Sequence, residues 1–234
     1  MNNFEGYIHV LSPFIYKSYV SGLEDTKPKI VPNNLLNNIK YCYNFFMASL
    51  SLYMLYLVVT ANIETKKLYS IYGMLCSSYG ENKTIRYASR LFLYSKYIEW
   101  LDTLFLVYYN KPVSNLHYYH HMSTAFLTYM NIIEYPSPSL IVFMGTNCLV
   151  HYFMYLYYLE PKKWNSESKK MLTISQILQH IVCIITLITT EKLNIDGGCQ
   201  QNKYGGRVAI ILYGMYLIHF SCFYIEKYLN KINK

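Results

Sequence analysis

Apolar runs of membrane-crossing length alternate along the chain with short segments rich in charged residues, proline and glycine. A helix that crosses the hydrocarbon core of a bilayer needs about 17–25 mostly apolar residues. Seven segments meet or approach that length: Phe4–Val20, Tyr41–Ala61, Tyr87–Tyr109, His117–Ile133, Pro138–Leu159, Lys170–Thr190 and Gly206–Tyr228. The first is short and interrupted by Pro13. Turn and charge signals separate them, among them Gly80-Glu81-Asn82-Lys83, Tyr135-Pro136-Ser137-Pro138 and Asp196-Gly197-Gly198. No internal repeat and no second domain is visible. The expected fold is an all-α integral membrane protein, a single seven-helix domain over residues 1–234.

Polar stripes run through four of these spans. An ionisable group near the centre of a membrane helix costs about 2.5–3.5 kcal/mol on insertion scales, so each needs a reason. Span three carries Lys96, Glu99, Asp102 and Thr103, whose steps of three keep them on or near one face. An internal salt bridge accounts for Lys96 and Glu99 but leaves Asp102 in need of a partner. Span four opens with His117, His120 and His121, at i, i+3 and i+4, so the three imidazoles share a face. Span five carries Asn147, His151, Tyr155 and Tyr158 as one stripe, and span six carries Thr173, Gln176 and Gln179 followed by His180.

Composition supports the membrane assignment. Hydrophobic residues make up 53% of the 234 residues and charged residues 15%, against a usual charged share of about 25%. The mean hydropathy of +0.11 is low for a membrane protein. It is lowered by 28 Tyr, which hydropathy scales score as polar but which anchor at membrane interfaces. The net charge of +8 comes from lysines between apolar runs and not from a basic helix, so nucleic acid is not an expected partner. No basic lead and small-residue cleavage site mark a removable signal peptide.

The flanking charges set an orientation. One set of loops holds twelve Lys, including Lys162, Lys163, Lys169, Lys170 and Lys227; the other holds six Lys and Arg. The richer side is expected in the cytosol, with the N-terminus lumenal and the C-terminus cytosolic. Asn82-Lys83-Thr84, an N-glycosylation acceptor, then lies on the lumenal side. So do Cys76 and Cys199, and an oxidising lumen permits a disulfide between them. All four polar stripes fall in the cytosolic halves of their spans, which predicts one wet cavity open to the cytosol.

Several chemistries suit such a cavity. A His-x-x-His-His cluster also occurs in membrane di-iron desaturases and hydroxylases. Those need about eight histidines from several boxes, and this chain has seven in all. A zinc site from His117, His121 and His151 is a second option, and a non-enzymatic seven-helix receptor a third. No cysteine stands beside the histidines in sequence, so acyl transfer here would use imidazole.

Taken in order, Lys96-x-x-Glu99-x-x-Asp102-Thr103, His117-x-x-His120-His121, Asn147-x-x-x-His151-x-x-Met154-Tyr155 and Thr173-x-x-Gln176-x-x-Gln179 resemble the ELO family, the elongases of very long chain fatty acids. Tyr43-Asn44 is similar to that family's motif in span two. The resemblance implies the condensing step of elongation, in which a long-chain acyl-CoA and malonyl-CoA give a 3-ketoacyl-CoA, CO2 and CoA. It implies seven helices, six of them in a barrel around an acyl tunnel, and a lumenal Cys76–Cys199 disulfide. It also implies residence in the endoplasmic reticulum membrane, although Lys231-Ile-Asn-Lys234 lacks paired retrieval lysines. No cofactor is expected beyond the two substrates. A homodimer and association with the other enzymes of the cycle are compatible with this reading.

On this basis His120 is the expected nucleophile, forming an acyl-imidazole. Asp102 would fix the tautomer of a neighbouring imidazole, and His117, His121 and His151 would position the thioester or move protons. Lys96, Glu99, Thr103, Asn147, Tyr155, Tyr158, Thr173, Gln176 and Gln179 would bind substrate, and Lys162 and Lys163 would meet CoA phosphates.

Overall fold

The computed structural model describes residues 3–25, 33–66, 70–77, 79, 82–133, 136–195 and 203–230. Nine α-helices follow one another among them: α1 Asn3–Asp25, α2 Asn34–Glu64, α3 Ile71–Cys76, α4 Lys83–Ile98, α5 Leu101–Tyr108, α6 Asn115–Met130, α7 Pro138–Leu159, α8 Ser166–Ile195 and α9 Lys203–Tyr224. A π-helical turn, Ile225–Leu229, continues α9. Every expected span falls on helix, with span three divided between α4 and α5 and span four ending at Met130, three residues short of the expected end. Among the described residues four helices are long and apolar enough to cross a membrane: α2, α7, α8 and α9. The others fall short for physical reasons. α6 has 16 residues, or roughly 24 Å at 1.5 Å per residue, and α4 carries Lys83, Arg86, Arg90 and Lys96.

Local chemistry sets the helix ends. Asn33, Ser70, Asn82 and Ser114 accept backbone N–H groups in the first turns of α2, α3, α4 and α6. Pro138 opens α7, where its missing N–H has no helical partner to lose. Pro13 sits inside α1 and cannot donate to the His9 carbonyl. The Ser12 hydroxyl takes that carbonyl instead, at 2.8 Å, and the helix runs on.

The break between α4 and α5 has a similar logic. The N–H groups of Asp102 and Thr103 turn to Glu99 and Trp100, three residues back, a local tightening that often marks functional positions. This leaves the Ile98 carbonyl without its usual donor, and the Tyr43 hydroxyl supplies one at 3.3 Å. Trp100 locks the break onto α6 by donating its indole N–H to the His121 carbonyl at 3.1 Å.

α2 packs against α7 and α4, α7 against α8, α8 against α9, α9 against α6, and α6 against α4; α1 lies on α6 and α5. Among the described residues three apolar clusters pack the interior, the third made of Tyr43, Met47, Ala48, Phe105 and Tyr155 beside Asp102. Met54, Leu57, Ile85, Leu93, Leu140 and Met144 belong to the first; Leu127, Phe143, Leu187, Ala209, Tyr213 and Tyr216 to the second. The outer faces are apolar too: Phe45, Tyr56, Leu178, Ile185, Ile211 and Ile218 are all exposed. With no aqueous reason for such a surface, the protein is read as integral to a membrane.

Cys76 ends α3, is buried and is disulfide-bonded; Cys199, and with it the expected pairing, lies outside the described residues. Asn82 spends its side-chain oxygen on capping α4, and its amide nitrogen reaches Glu64 at 3.2 Å.

Candidate active site

The polar stripes converge. A cavity of about 300 Å³ is lined by His117, His120 and His121 from α6, Asn147 and His151 from α7, and Thr173, Gln176 and Gln179 from α8. Asp102 of α5 and Tyr158 of α7 complete the set of expected residues on its wall. Four helices place imidazoles, amides and an acid around one space, and His180 and Phe220 on its wall border the second apolar cluster.

The remaining expected residues stand behind this wall and hold it. Lys96 Nζ lies 2.7 Å from Glu99 Oε1 and 2.8 Å from Asn147 Oδ1, with Lys96 and Glu99 both buried. An ammonium only donates. The Asn147 oxygen must therefore face Lys96, which frees its NH2 group to donate into the cavity. Glu99 Oε1 also lies 3.5 Å from His151 Nδ1. A carboxylate there favours the tautomer with the proton on Nδ1, leaving Nε2 as a base.

His117 is set differently. Its Nε2 meets Thr103 Oγ1 at 2.8 Å, and Thr103 Oγ1 meets the hydroxyl of Tyr16 at 2.8 Å. Tyr16 is fully buried on α1, between Trp100, Tyr118 and His121. The His117 and His121 rings lie 4.2 Å apart. His120 turns toward Tyr216 of α9, 5.0 Å away.

Two expectations change in detail. Asp102 Oδ2 accepts the Tyr155 hydroxyl at 2.8 Å; the carboxylate beside an imidazole is Glu99. The reason lies on α7, where His151 stands beside Glu99 and Tyr155, one turn further on, stands beside Asp102. Lys162 and Lys163 do not reach the cavity. Both are exposed in the loop before α8, and Lys163 pairs with Glu160 at 2.7 Å. The lysines on the cavity wall are Lys169 and Lys227. Lys169 precedes Thr173 by one turn on the same face of α8, and Lys227 belongs to the π-helical turn. Each ammonium lies near an aromatic ring, Tyr157 at 5.9 Å and Phe223 at 4.8 Å.

Sequence reasoning also passed over Tyr16 and gave no role to His180, which lines the cavity beside Gln179. Among the described residues no group of three His, Cys, Asp or Glu side chains is arranged to hold a metal ion. The histidines meet hydroxyls, rings and one carboxylate, an arrangement suited to proton transfer and nucleophilic attack.

Comparison with known proteins gives a consistent picture. The family model described as GNS1/SUR4 (ELO) matches residues 6–234. The chain is 26% identical to fatty acid elongase A of Dictyostelium discoideum over 202 residues, covering 84% of this chain and 74% of that protein. It is 26% identical to fatty acid elongase 2 of Trypanosoma cruzi over 216 residues, 86% of this chain and 76% of that one. It is 35% identical to the human very long chain fatty acid elongase 3 over 157 residues, 64% of this chain and 56% of that one.

Proposed function

The chain belongs to the GNS1/SUR4 (ELO) family of fatty acid elongases, and from that premise we propose that it catalyses the condensing step: a long-chain acyl-CoA and malonyl-CoA give a 3-ketoacyl-CoA, CO2 and CoA. The observation that carries the proposal is the convergence of His120, His151, Asn147 and Gln176 on one cavity. A condensing enzyme needs a nucleophile or base, a donor for oxyanions and a route for protons, and these residues supply each.

In the first half, an unprotonated nitrogen of His120 attacks the acyl thioester carbonyl, and CoA leaves as the thiolate, taking up a proton. The product is an acyl-imidazole. The free NH2 of Asn147 and the amide of Gln176 are donors for the oxyanion that forms in passing. In the second half, malonyl-CoA loses CO2, and the electron pair of the broken bond attacks the acyl carbon. His120 departs as the leaving group, and His151, oriented by Glu99, manages the proton. Splitting the reaction at a covalent intermediate replaces one hard step with two easier ones.

The pairings of α2, α7, α8, α9, α6 and α4 return to their start. That supports a six-helix barrel with α1 outside it. We place seven crossings in the endoplasmic reticulum membrane, with the cavity facing the cytosol and Asn82 and a Cys76–Cys199 disulfide facing the lumen.

The test is direct. Purified protein incubated with a long-chain acyl-CoA alone should gain the mass of the acyl group, and His120→Ala should not. Full turnover with labelled malonyl-CoA and no adduct would replace the covalent route with a ternary condensation. Absence of any 3-ketoacyl product across a series of acyl-CoAs would end the proposal.

A further inference from the structure

His180 is a polar group on the cavity wall that the proposed chemistry does not use. It is 2% exposed and lines the cavity one turn beyond Gln176, on the same face of α8. Three aromatic rings of α9 surround it, Tyr213, Tyr216 and Phe220, with ring centres 5.8, 5.5 and 5.1 Å away. Tyr216 is itself fixed, its hydroxyl 2.7 Å from that of Ser123 on α6. The His120 ring packs on two of the same three, 5.0 Å from Tyr216 and 6.4 Å from Phe220. His120 of α6 and His180 of α8 therefore flank one pair of rings, and His180 is within electrostatic reach of both His120 and His151.

The hydrogen bonding of His180 is incomplete. Nδ1 is fully enclosed and has no partner among the described residues. Of the two nitrogens only Nε2 keeps an open side, and what it opens on is the cavity. A proton on Nδ1, in the neutral or the charged ring, would be a buried donor without an acceptor, and such donors are rarer than unused lone pairs. The proton therefore belongs on Nε2, which makes His180 an N–H donor facing the space beside His120. Gln176, the other donor on this face of α8, turns its NH2 toward the Met154 sulfur at 3.9 Å. Among the described residues the Nε2–H of His180 has no such engagement.

We infer that His180 is a further catalytic residue, whose Nε2–H holds the carbonyl oxygen of the acyl group as His120 attacks it. The inference rests on the condensation reading above. A saturated acyl chain carries one hydrogen-bonding oxygen, on C1, and C1 is the atom that must reach His120. A donor set among the rings beside His120 can meet that oxygen and no other part of the chain. As the His120 nitrogen bonds to C1, the carbonyl π pair moves onto oxygen and the hydrogen bond from Nε2–H strengthens. When the pair returns, the C–S bond breaks and CoA leaves as the thiolate, which takes the proton lost by the His120 ring. His180 keeps its own proton throughout. The same donor serves the second half, when attack on the acyl-imidazole raises the oxyanion again and His120 departs.

The test is the rate of acylation of the full chain in detergent by palmitoyl-CoA alone, read by rapid quench and intact mass, beside the Kd for palmitoyl-CoA. Three variants separate a donor from a filler of space. His180→Phe keeps a ring among rings and removes the donor. His180→Gln places an amide N–H about where Nε2 lies, and His180→Asn places one about where Nδ1 lies. Loss of an oxyanion donor slows a reaction by about 10²–10³, so His180→Phe and His180→Asn should acylate at least about a hundredfold more slowly, and His180→Gln within about tenfold of wild type. All three should bind palmitoyl-CoA within about twofold. Acylation of His180→Phe at the wild-type rate, equal rescue by Gln and Asn, or a loss confined to Kd would overturn the role. If wild type turns over without an adduct, the covalent route falls, and the same ordering must appear in kcat or the role of His180 falls with it. If wild type is acylated but makes no 3-ketoacyl product, the condensation reading falls and the acylation rates still decide for or against His180. Neither adduct nor product, across a series of acyl-CoAs, would overturn both.

Discussion

Lys96 and Glu99 are 2% and 1% exposed, and the worth of such a pair lies less in its own attraction than in what its loss exposes. Removing one partner from a buried ion pair costs about 3–5 kcal/mol, whereas replacing both with apolar groups is often neutral. Lys96→Met should therefore lower thermal stability in detergent by that amount, and Lys96→Met/Glu99→Leu should recover most of it. Neither should recover activity, because Asn147 loses the cation that aims its NH2 into the cavity; in the double variant the kcat should fall by about 10²–10³, the usual effect of losing an oxyanion donor. Tyr16→Phe tests the chain from α1 through Thr103 to His117. One hydrogen bond is worth about 0.5–1.5 kcal/mol, so kcat should fall about three- to tenfold with the acyl-CoA KM unchanged, and an unaltered kcat would show that His117 is held without it. At this scale the sequence exposes what repeats along a face, such as His117, His120 and His121. Tyr16 is one of 28 tyrosines and shares one buried face of α1 with His9 and Ser12, a stripe without Lys, Asp or Glu and so easily passed over. Lys162 and Lys163 stood out by charge, but the register of α8 favours Lys169.

The helices themselves were legible from hydrophobic run length, and α7 begins and ends at the residues the pattern predicts. The division of span three was not, since Ile98-Glu99-Trp100 holds neither proline nor glycine. The break depends on partners far away in the chain, the Tyr43 hydroxyl on the Ile98 carbonyl and the Trp100 indole on α6. Short α3 escaped for the opposite reason, being too brief to show a period. Close contacts between elements also follow from packing and not from pattern. A Cβ at Gly205 would lie 2.7 Å from the Met130 carbonyl oxygen, whereas one at Gly6 would meet only the Tyr129 hydroxyl, at 2.8 Å. Backbone yields far less than the tip of a side chain. Gly205→Ala should push α9 from the end of α6 and cost about 1–3 kcal/mol, the usual range for overpacking. Gly6→Ala should be milder, and thermal melts of the two side by side in one detergent would decide it.

Across the whole molecule, the polar stripes of separate helices meet on one cavity, a convergence that their spacing along the chain already foretold. The order in which helices pair was beyond reach, because in a membrane every helix offers apolar surface to lipid as readily as to a neighbour. The proposed orientation has its own test. In cells, a fraction of the protein should shift in mobility on treatment with a glycosidase, and Asn82→Gln should abolish the shift; a tag at the C-terminus should stay protected from enzymes added to the lumenal side. The greasy exterior described above carries a practical corollary. Exposed residues such as Phe45, Ile185 and Ile218 mean that, stripped of amphiphile, copies of this chain would coalesce through their coats before their interiors came apart. Any melting temperature is then a joint property of polypeptide and surrounding micelle, and only variants handled in the same one can be ranked.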